Sequence, residues 1–186
     1  MFKEAFVCVD TETTGLLPHK DRVIEIGLVR VENGKEVDRF HTLLNPGVSL
    51  PDIITEITGL TDNDVTDAPK FADIADELAE LLDGALFVAH NADFDLRFIQ
   101  HEFARVNQEF APEQLCTVKL SRALFPNERR HNLAALIERY GFAAEKRHRA
   151  FDDALVVWNF LEHVKKNFPE EELKRAVGEI RKKQGG

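Results

Sequence analysis

The sequence predicts a mixed α/β fold with helices packed on a central sheet, and three observations carry that expectation. Three β-branched, apolar runs follow one another before residue 45, as a strand meander does. From about residue 70 onward, helical and strand patterns alternate. The chain of 186 residues is 44% hydrophobic and 31% charged, the balance of one globular domain with a sizeable core.

The elements are expected in this order. Ala5–Asp10 (AFVCVD) is a short buried strand closed by a Thr/Gly turn. Arg22–Glu32, rich in Val and Ile, is a second strand, and Asn33-Gly34 turns it back into a third, Lys35–Leu44. Pro46, Gly47 and Pro51 mark a loop that leads to ITGLT at Ile57–Thr61. Phe71, Ile74, Ala75, Leu78, Leu81 and Leu82 recur at helical spacing, so Lys70–Leu82 is an amphipathic helix that Gly84 ends. Ala85–Ala89 is a short buried strand. A helix follows from near Asp93 to about Val106, then an edge strand at Leu115–Thr117 and a short helix at Val118–Leu124, stopped by Pro126. Asn132–Tyr140 is a helix ended by Gly141, Ala150 to about Val164 a long one, and Glu170–Ile180 the last, with Pro169 at its first turn. Residues 1–168 form the main domain and 169–186 a terminal helix with a charged tail.

Charge and cysteine content narrow the function classes. The net charge is −9, with the acids concentrated in the first half and a basic excess in the second. An acidic chain is a poor general polyanion binder, so any nucleic-acid role must be local: a basic rim, or metal ions that turn acids into a phosphate site. The stretch Arg129–Arg149 is the candidate rim. Cys8 and Cys116, each in an apolar segment, make neither a disulfide framework nor a zinc site, which suits the cytoplasm. The first residues lack a secretory apolar region, and no run approaches the roughly 20 apolar residues of a membrane span.

Three segments carry chemistry. In Asp10-Thr11-Glu12 the two acids stand two apart on a strand, so both carboxylates point to one face. Alone, this motif also fits a strand end pushing polar groups into water. In His90-Asn91-Ala92-Asp93-Phe94-Asp95, the positions three and four beyond Asp95 are apolar (Phe98, Ile99), which aims Asp95 inward and leaves Asp93 as the helix cap. In His148–Ala154, Asp153 shares a stripe with Val157, Phe160 and Val164, and an acid on an apolar stripe needs a counter-charge. His148 belongs to the loop just before, leaning over the same site, although alone a loop histidine among Lys146, Arg147 and Arg149 reads as solvated. Four carboxylates and one histidine suit oxygen-loving divalent cations, two of which activate a water and stabilise the leaving oxygen of a phosphodiester. The histidine is then the general base.

At these residues the sequence resembles the DEDD exonucleases of the histidine subclass, which include the proofreading subunit of bacterial DNA polymerase III, ribonuclease T and oligoribonuclease. The resemblance rests on VDTETTG at Val9–Gly15, HNADFD at His90–Asp95 and HRAFDDA at His148–Ala154, supported by RVIEIG, ITGLT and NLAAL. It implies a ribonuclease H-like fold with a central mixed five-stranded sheet. It also implies hydrolysis from the 3′ end to nucleoside 5′-monophosphates with two Mg²⁺ or Mn²⁺ ions. By that analogy Asp10, Glu12, Asp95 and Asp153 are the metal ligands and His148 is the general base. Thr13, Leu16, Ile57, Thr58, Asn91 and Phe94 would hold the terminal nucleotide.

The expected substrate is a single-stranded DNA end in proofreading or repair, with an exoribonuclease on RNA ends as the alternative, since the motifs describe chemistry at the phosphate and not the 2′-hydroxyl. A polymerase or a fused repair protein is the expected partner, although Pro169–Gly186 carries no glutamine-and-aromatic clamp motif. An aspartyl-phosphate hydrolase would want an aspartate in place of Glu12. A non-catalytic binding module would not need all five site positions filled.

Overall fold

The computed structural model describes residues 5–143 and 148–184, with side chains as far as 181. Five strands form one sheet: β1 (Phe6–Thr13), β2 (Val23–Glu32), β3 (Lys35–Leu43), β4 (Leu86–Ala89) and β5 (Gln114–Cys116), in the spatial order β3-β2-β1-β4-β5. β1, β2 and β3 pair antiparallel, while β4 runs parallel to β1 and β5 parallel to β4. This is the mixed, ribonuclease H-like sheet that the sequence led us to expect. The parallel strands β1, β4 and β5 end at the same edge, where an α/β sheet presents its ligand crevice.

Eight helices among the described residues complete the fold: α1 (Asp52–Thr58), α2 (Asp62–Val65), α3 (Phe71–Leu82), α4 (Ala92–Arg105), α5 (Thr117–Leu124), α6 (Leu133–Tyr140), α7 (Ala150–Asn167) and α8 (Glu170–Gln184). The period-two alternation of β1 divides them into two layers. Val7 and Val9 face a core built with α3 and α4. Phe6 and Cys8 face the other core, with Leu120, Leu136, Val157, Phe160 and Leu173 from α5 to α8. α8 buries Leu173, Val177 and Ile180.

Three differences from the sequence reading have local causes. β1 runs three residues beyond Asp10, because the register with β2 continues through Thr11↔Ile26 and Glu12↔Glu25 before a bulge at Glu12/Thr13. After Pro51, where the sequence reading placed a loop leading to ITGLT and assigned no helix, the chain forms α1 and then α2. The first ends at left-handed Gly59, and the second opens on a Thr61–Asp64 capping box. Asp93 does not cap α4. Asn91, at φ 85°, takes that position without a side-chain bond, and Asp93 instead accepts from Gln114 Nε2 and Lys119 Nζ, both at 3.0 Å. A charged lysine within reach offers an acid more than a backbone amide does.

Candidate active site

Asp10, Glu12, His90, Asn91, Phe94, Asp95, Asn132, Leu133, His148 and Asp153 line one open cleft of about 380 Å³ at the sheet edge where β1 and β4 end. That volume lies in the range of small-ligand sites, roughly 300–1,000 Å³. The five residues singled out for chemistry thus meet, arriving from β1, α4, the segment before α7, and α7 itself.

The alternation of β1 dictates how they arrive. Even-numbered Asp10 and Glu12 continue the face of Phe6 and Cys8, toward α7 and Asp153. Odd-numbered Thr11 turns the other way, to α4, where its N–H and hydroxyl both donate to Asp95 Oδ1 at 3.0 and 2.9 Å. Asp95 is buried, as its apolar neighbours on the helix foretold. Asp153 is also buried, one turn above Val157.

α7 reaches the sheet because of Gly27, the partner of Asp10 in the β1–β2 register. A Cβ there would stand 2.2 Å from Phe151 N and 2.4 Å from Ala150 C, so only a glycine lets the helix start rest on the strand. His148 lies just before that start with φ 58°, left-handed for a residue that carries a side chain. Donor atoms of Glu12, His148 and Asp153 all lie within 4.8 Å of one another, a spacing that suits a metal ion.

The electrostatics point the same way. Burial pushes Asp10 well above the usual carboxylate range, and Asp95, Asp153 and Glu12 beside it push it further. Burial raises Glu12 to about 8, with Asp153 and Glu25 adding repulsion and Arg149 opposing. Asp95 is raised to about 7 by burial, against the pull of its two bonds from Thr11. A cluster of acids that resists ionisation at neutral pH is relieved by a divalent cation, and an oxygen-rich set with one imidazole has the hardness Mg²⁺ or Mn²⁺ prefers. The residues present therefore fit divalent metal.

His90 builds the opposite wall. Its Nε2 donates to the His131 carbonyl at 2.8 Å and its Nδ1 lies 2.9 Å from Thr117 Oγ1, while burial lowers it to about 4. The ring is thus neutral near pH 7 and ties the end of β4 to the segment that opens α6. There Asn132 caps the helix by accepting from Ala135 N.

Of the residues assigned to the terminal nucleotide, Asn91 and Phe94 line the cleft, and Thr13, Leu16, Ile57 and Thr58 do not. Leu16 and Ile57 are exposed apolar side chains on neighbouring segments. Thr13 and Thr58 are buried, and their hydroxyls donate to Gly15 O and Ile54 O. Part of the expected basic rim, residues 144–147, falls outside the described residues. Within the rest, Arg130 pairs with Glu138 and Arg139 with Glu128. Thr11, His90 and Glu25 escaped sequence reasoning. His90 and Glu25 each left a signal, the first at the head of HNADFD and the second as a lone acid inside the apolar run VIEIG.

A mixed sheet with an acidic cleft at the ends of its parallel strands has the form of a ribonuclease H-like exonuclease domain. Residues 7–161 match the sequence profile of the exonuclease family RNase_T, and the chain belongs to that family. It is 40% identical over 158 residues to the 3′-5′ exonuclease DinG of Bacillus subtilis, covering 84% of this chain and 17% of that protein. It is 36% identical over 155 residues to the PolC-type DNA polymerase III of Oceanobacillus iheyensis, covering 83% of this chain and 11% of that one. The chain thus spans less than a fifth of these relatives. Among solved structures, an E. coli exonuclease I–ssDNA complex superposes with a TM-score of 0.81 at 19% identity, over 90% of this chain and 42% of that one. Exonuclease X bound to 5′-overhanging duplex DNA gives 0.69 at 24%, over 92% and 99%.

Proposed function

We propose that this chain is a metal-dependent 3′→5′ exonuclease acting on single-stranded DNA ends in proofreading or repair, releasing nucleoside 5′-monophosphates. The observation that carries the reading is the convergence of Asp10, Glu12, Asp95, His148 and Asp153 on one cleft in a chain of the exonuclease family. Asp10, Glu12, Asp95 and Asp153 would hold two divalent ions, Mg²⁺ or Mn²⁺. Such ions lower the charge cost of attack on a phosphodiester and neutralise the leaving oxygen. His148, half-buried at the cleft, takes the proton from the attacking water as the new P–O bond forms and the bond to the 3′-oxygen breaks. Asn91 and Phe94 contact the terminal nucleotide, Phe94 by stacking. Leu16 and Ile57, with Thr13 and Thr58 supporting their segments, would complete that grip from outside the cleft.

The name of the PolC-type DNA polymerase III relative supports a polymerase as the partner class, and a fused or partner repair protein is the second expectation. Two buried free cysteines suit a cytoplasmic setting. Among the described residues no helix is long and apolar enough to cross a membrane.

The test is a gel assay on 5′-labelled single-stranded DNA and RNA of one sequence, with Mg²⁺, Mn²⁺ or EDTA, beside Asp153→Ala. A metal-dependent ladder shortening from the 3′ end of DNA, absent in the variant, is expected. Faster shortening of RNA would make it an exoribonuclease, and no shortening of either would overturn the reading.

A further inference from the structure

β2 buries one acid that lies outside the catalytic set. Glu25 is fully buried and stands directly across the β1–β2 register from Glu12. Its Oε1 accepts from Arg149 Nε at 2.9 Å and lies 2.6 Å from His41 Nε2, and its Oε2 lies 3.2 Å from the same Arg149 nitrogen. An acid engaged on both oxygens by a guanidinium and an imidazole is held in a single orientation.

What it holds is the chain on either side of Arg149. That residue precedes α7, and its carbonyl accepts from Asp153 N at 3.0 Å. The residue before it is His148, in the left-handed conformation that an ordinary side chain adopts only where its surroundings impose it. Arg149 therefore links the strand beside Glu12 to the helix turn that carries Asp153, and it directly follows His148 in the chain. His41 and Arg39 of β3 complete the fixture: the His41 ring lies 6.0 Å from the Phe151 ring and the Arg39 guanidinium stands 5.6 Å above it.

We propose that Glu25 and Arg149 are a positioning pair that aims His148 into the cleft, with His41 bracing Glu25 from the outer strand. The proposal rests on His148 being the general base. A surface ion pair would contribute little, but a buried carboxylate with its partner removed reorganises its surroundings, and here those surroundings are the segment that bears the base.

Arg149→Ala, Arg149→Lys and Glu25→Gln are compared with His148→Ala on a labelled single-stranded oligonucleotide in Mn²⁺, with kcat and KM measured separately and melting followed in metal-free buffer. Arg149→Ala is expected to lower kcat roughly 10–100-fold, the usual cost of losing a group that orients a site residue, with KM within twofold. Free guanidinium at tens of millimolar should restore part of that rate. The double variant Arg149→Ala/His148→Ala should be no slower than His148→Ala alone, because a residue that acts through the histidine has nothing left to act on. Arg149, half-exposed, serves as the second route should Glu25→Gln fail to fold. An equal further loss in the double variant, or a loss confined to KM, would overturn the proposal by making Arg149 an independent substrate contact. Wild-type kcat in both Arg149→Ala and Glu25→Gln would overturn it as well. Wild-type activity in His148→Ala would instead overturn the function proposed for the cleft.

Discussion

Thr11 and Asp95 are 84 residues apart in the chain and joined by two hydrogen bonds, the Thr11 N–H and hydroxyl both donating to Asp95 Oδ1 at 3.0 and 2.9 Å. The threonine between the two acids of β1 therefore points to the opposite layer from them and secures a third acid. Removing the hydroxyl while keeping the shape isolates that function. With Asp95 as one of the proposed metal ligands, Thr11→Val should lower exonuclease activity about tenfold, the usual effect of losing a group that orients a ligand. It should cost about 1–2 kcal/mol of stability for the lost bond to a buried acid. Rates on labelled DNA, Mn²⁺ titration calorimetry and urea unfolding check the three parts, and an unchanged Mn²⁺ affinity would count against the clamp.

Gly27 decides how near α7 comes to the sheet. Gly27→Ala forces a Cβ to within 2.2 Å of Phe151 N, where backbone rather than a flexible side chain must move. Overpacking of this kind costs about 1–3 kcal/mol. Because the displaced turn carries Asp153 and follows His148, activity should fall by more than the stability loss explains. Urea midpoints and kcat on the same preparations test this, and full activity in a destabilised protein would refute it.

The acids of the cleft set the pH dependence of the metal-free protein. Glu12 rises from 4.5 to about 8 and Asp95 from 3.8 to about 7 on folding. A group raised by folding contributes most below its unfolded value and loses that contribution as pH climbs through its folded value. His90 works in the opposite direction, since it falls from 6.5 to about 4 and stability is lost as pH drops through that window. Three raised acids, with Asp10, outweigh one lowered imidazole. Without metal, stability should therefore fall between about pH 4.5 and 8, with the steepest loss between about pH 6.5 and 7, where His90 no longer compensates and Asp95 still holds its proton in the folded state. Melting temperature against pH in EDTA is the measurement.

Metal should reverse that trend. Cations bind the ionised acids, so Mg²⁺ is expected to raise the melting temperature more at pH 8 than at pH 6. At a hundredfold excess over Kd the gain is about 2.7 kcal/mol. Equal shifts at both pH values would mean that the ion binds elsewhere.

Asp153→Ala and Asp95→Ala should abolish activity with the fold intact. In EDTA at pH 8 Asp153→Ala should melt no lower than the parent, because the deletion relieves repulsion on Asp10, Glu12 and Asp95, whereas Asp95→Ala also gives up the two bonds from Thr11. Circular dichroism and the gel assay together check this, and Asp153→Ala melting well below the parent would show that this acid holds the fold.

Much of this was legible in the chain because it rests on local periodicity. The alternation in β1 put Asp10 and Glu12 on one face, and the apolar positions after Asp95 and Asp153 marked both as inward. The Asn33-Gly34 hairpin and the Val/Ile runs set the meander. α1 and α2 were missed because the Pro and Gly around ITGLT read as breakers, although the Thr61–Asp64 capping-box spacing and the Gly59 helix end are local patterns. Asp93 was misread as a cap because its partners are distant in the chain, Gln114 in β5 and Lys119 in α5.

The sequence by itself determined which residues are acidic, apolar or turn-forming, and hence the meander, the helices and which acids face inward. Only the tertiary structure decided which of those residues meet. Thr11 finds Asp95, Gly27 admits α7, and Glu25 takes Arg149, because the β1–β2 register and the layering of helices set distances between segments that no local pattern encodes. Periodicity sets the direction of a side chain from its own backbone, whereas a contact depends on two backbones and the packing that brings them together.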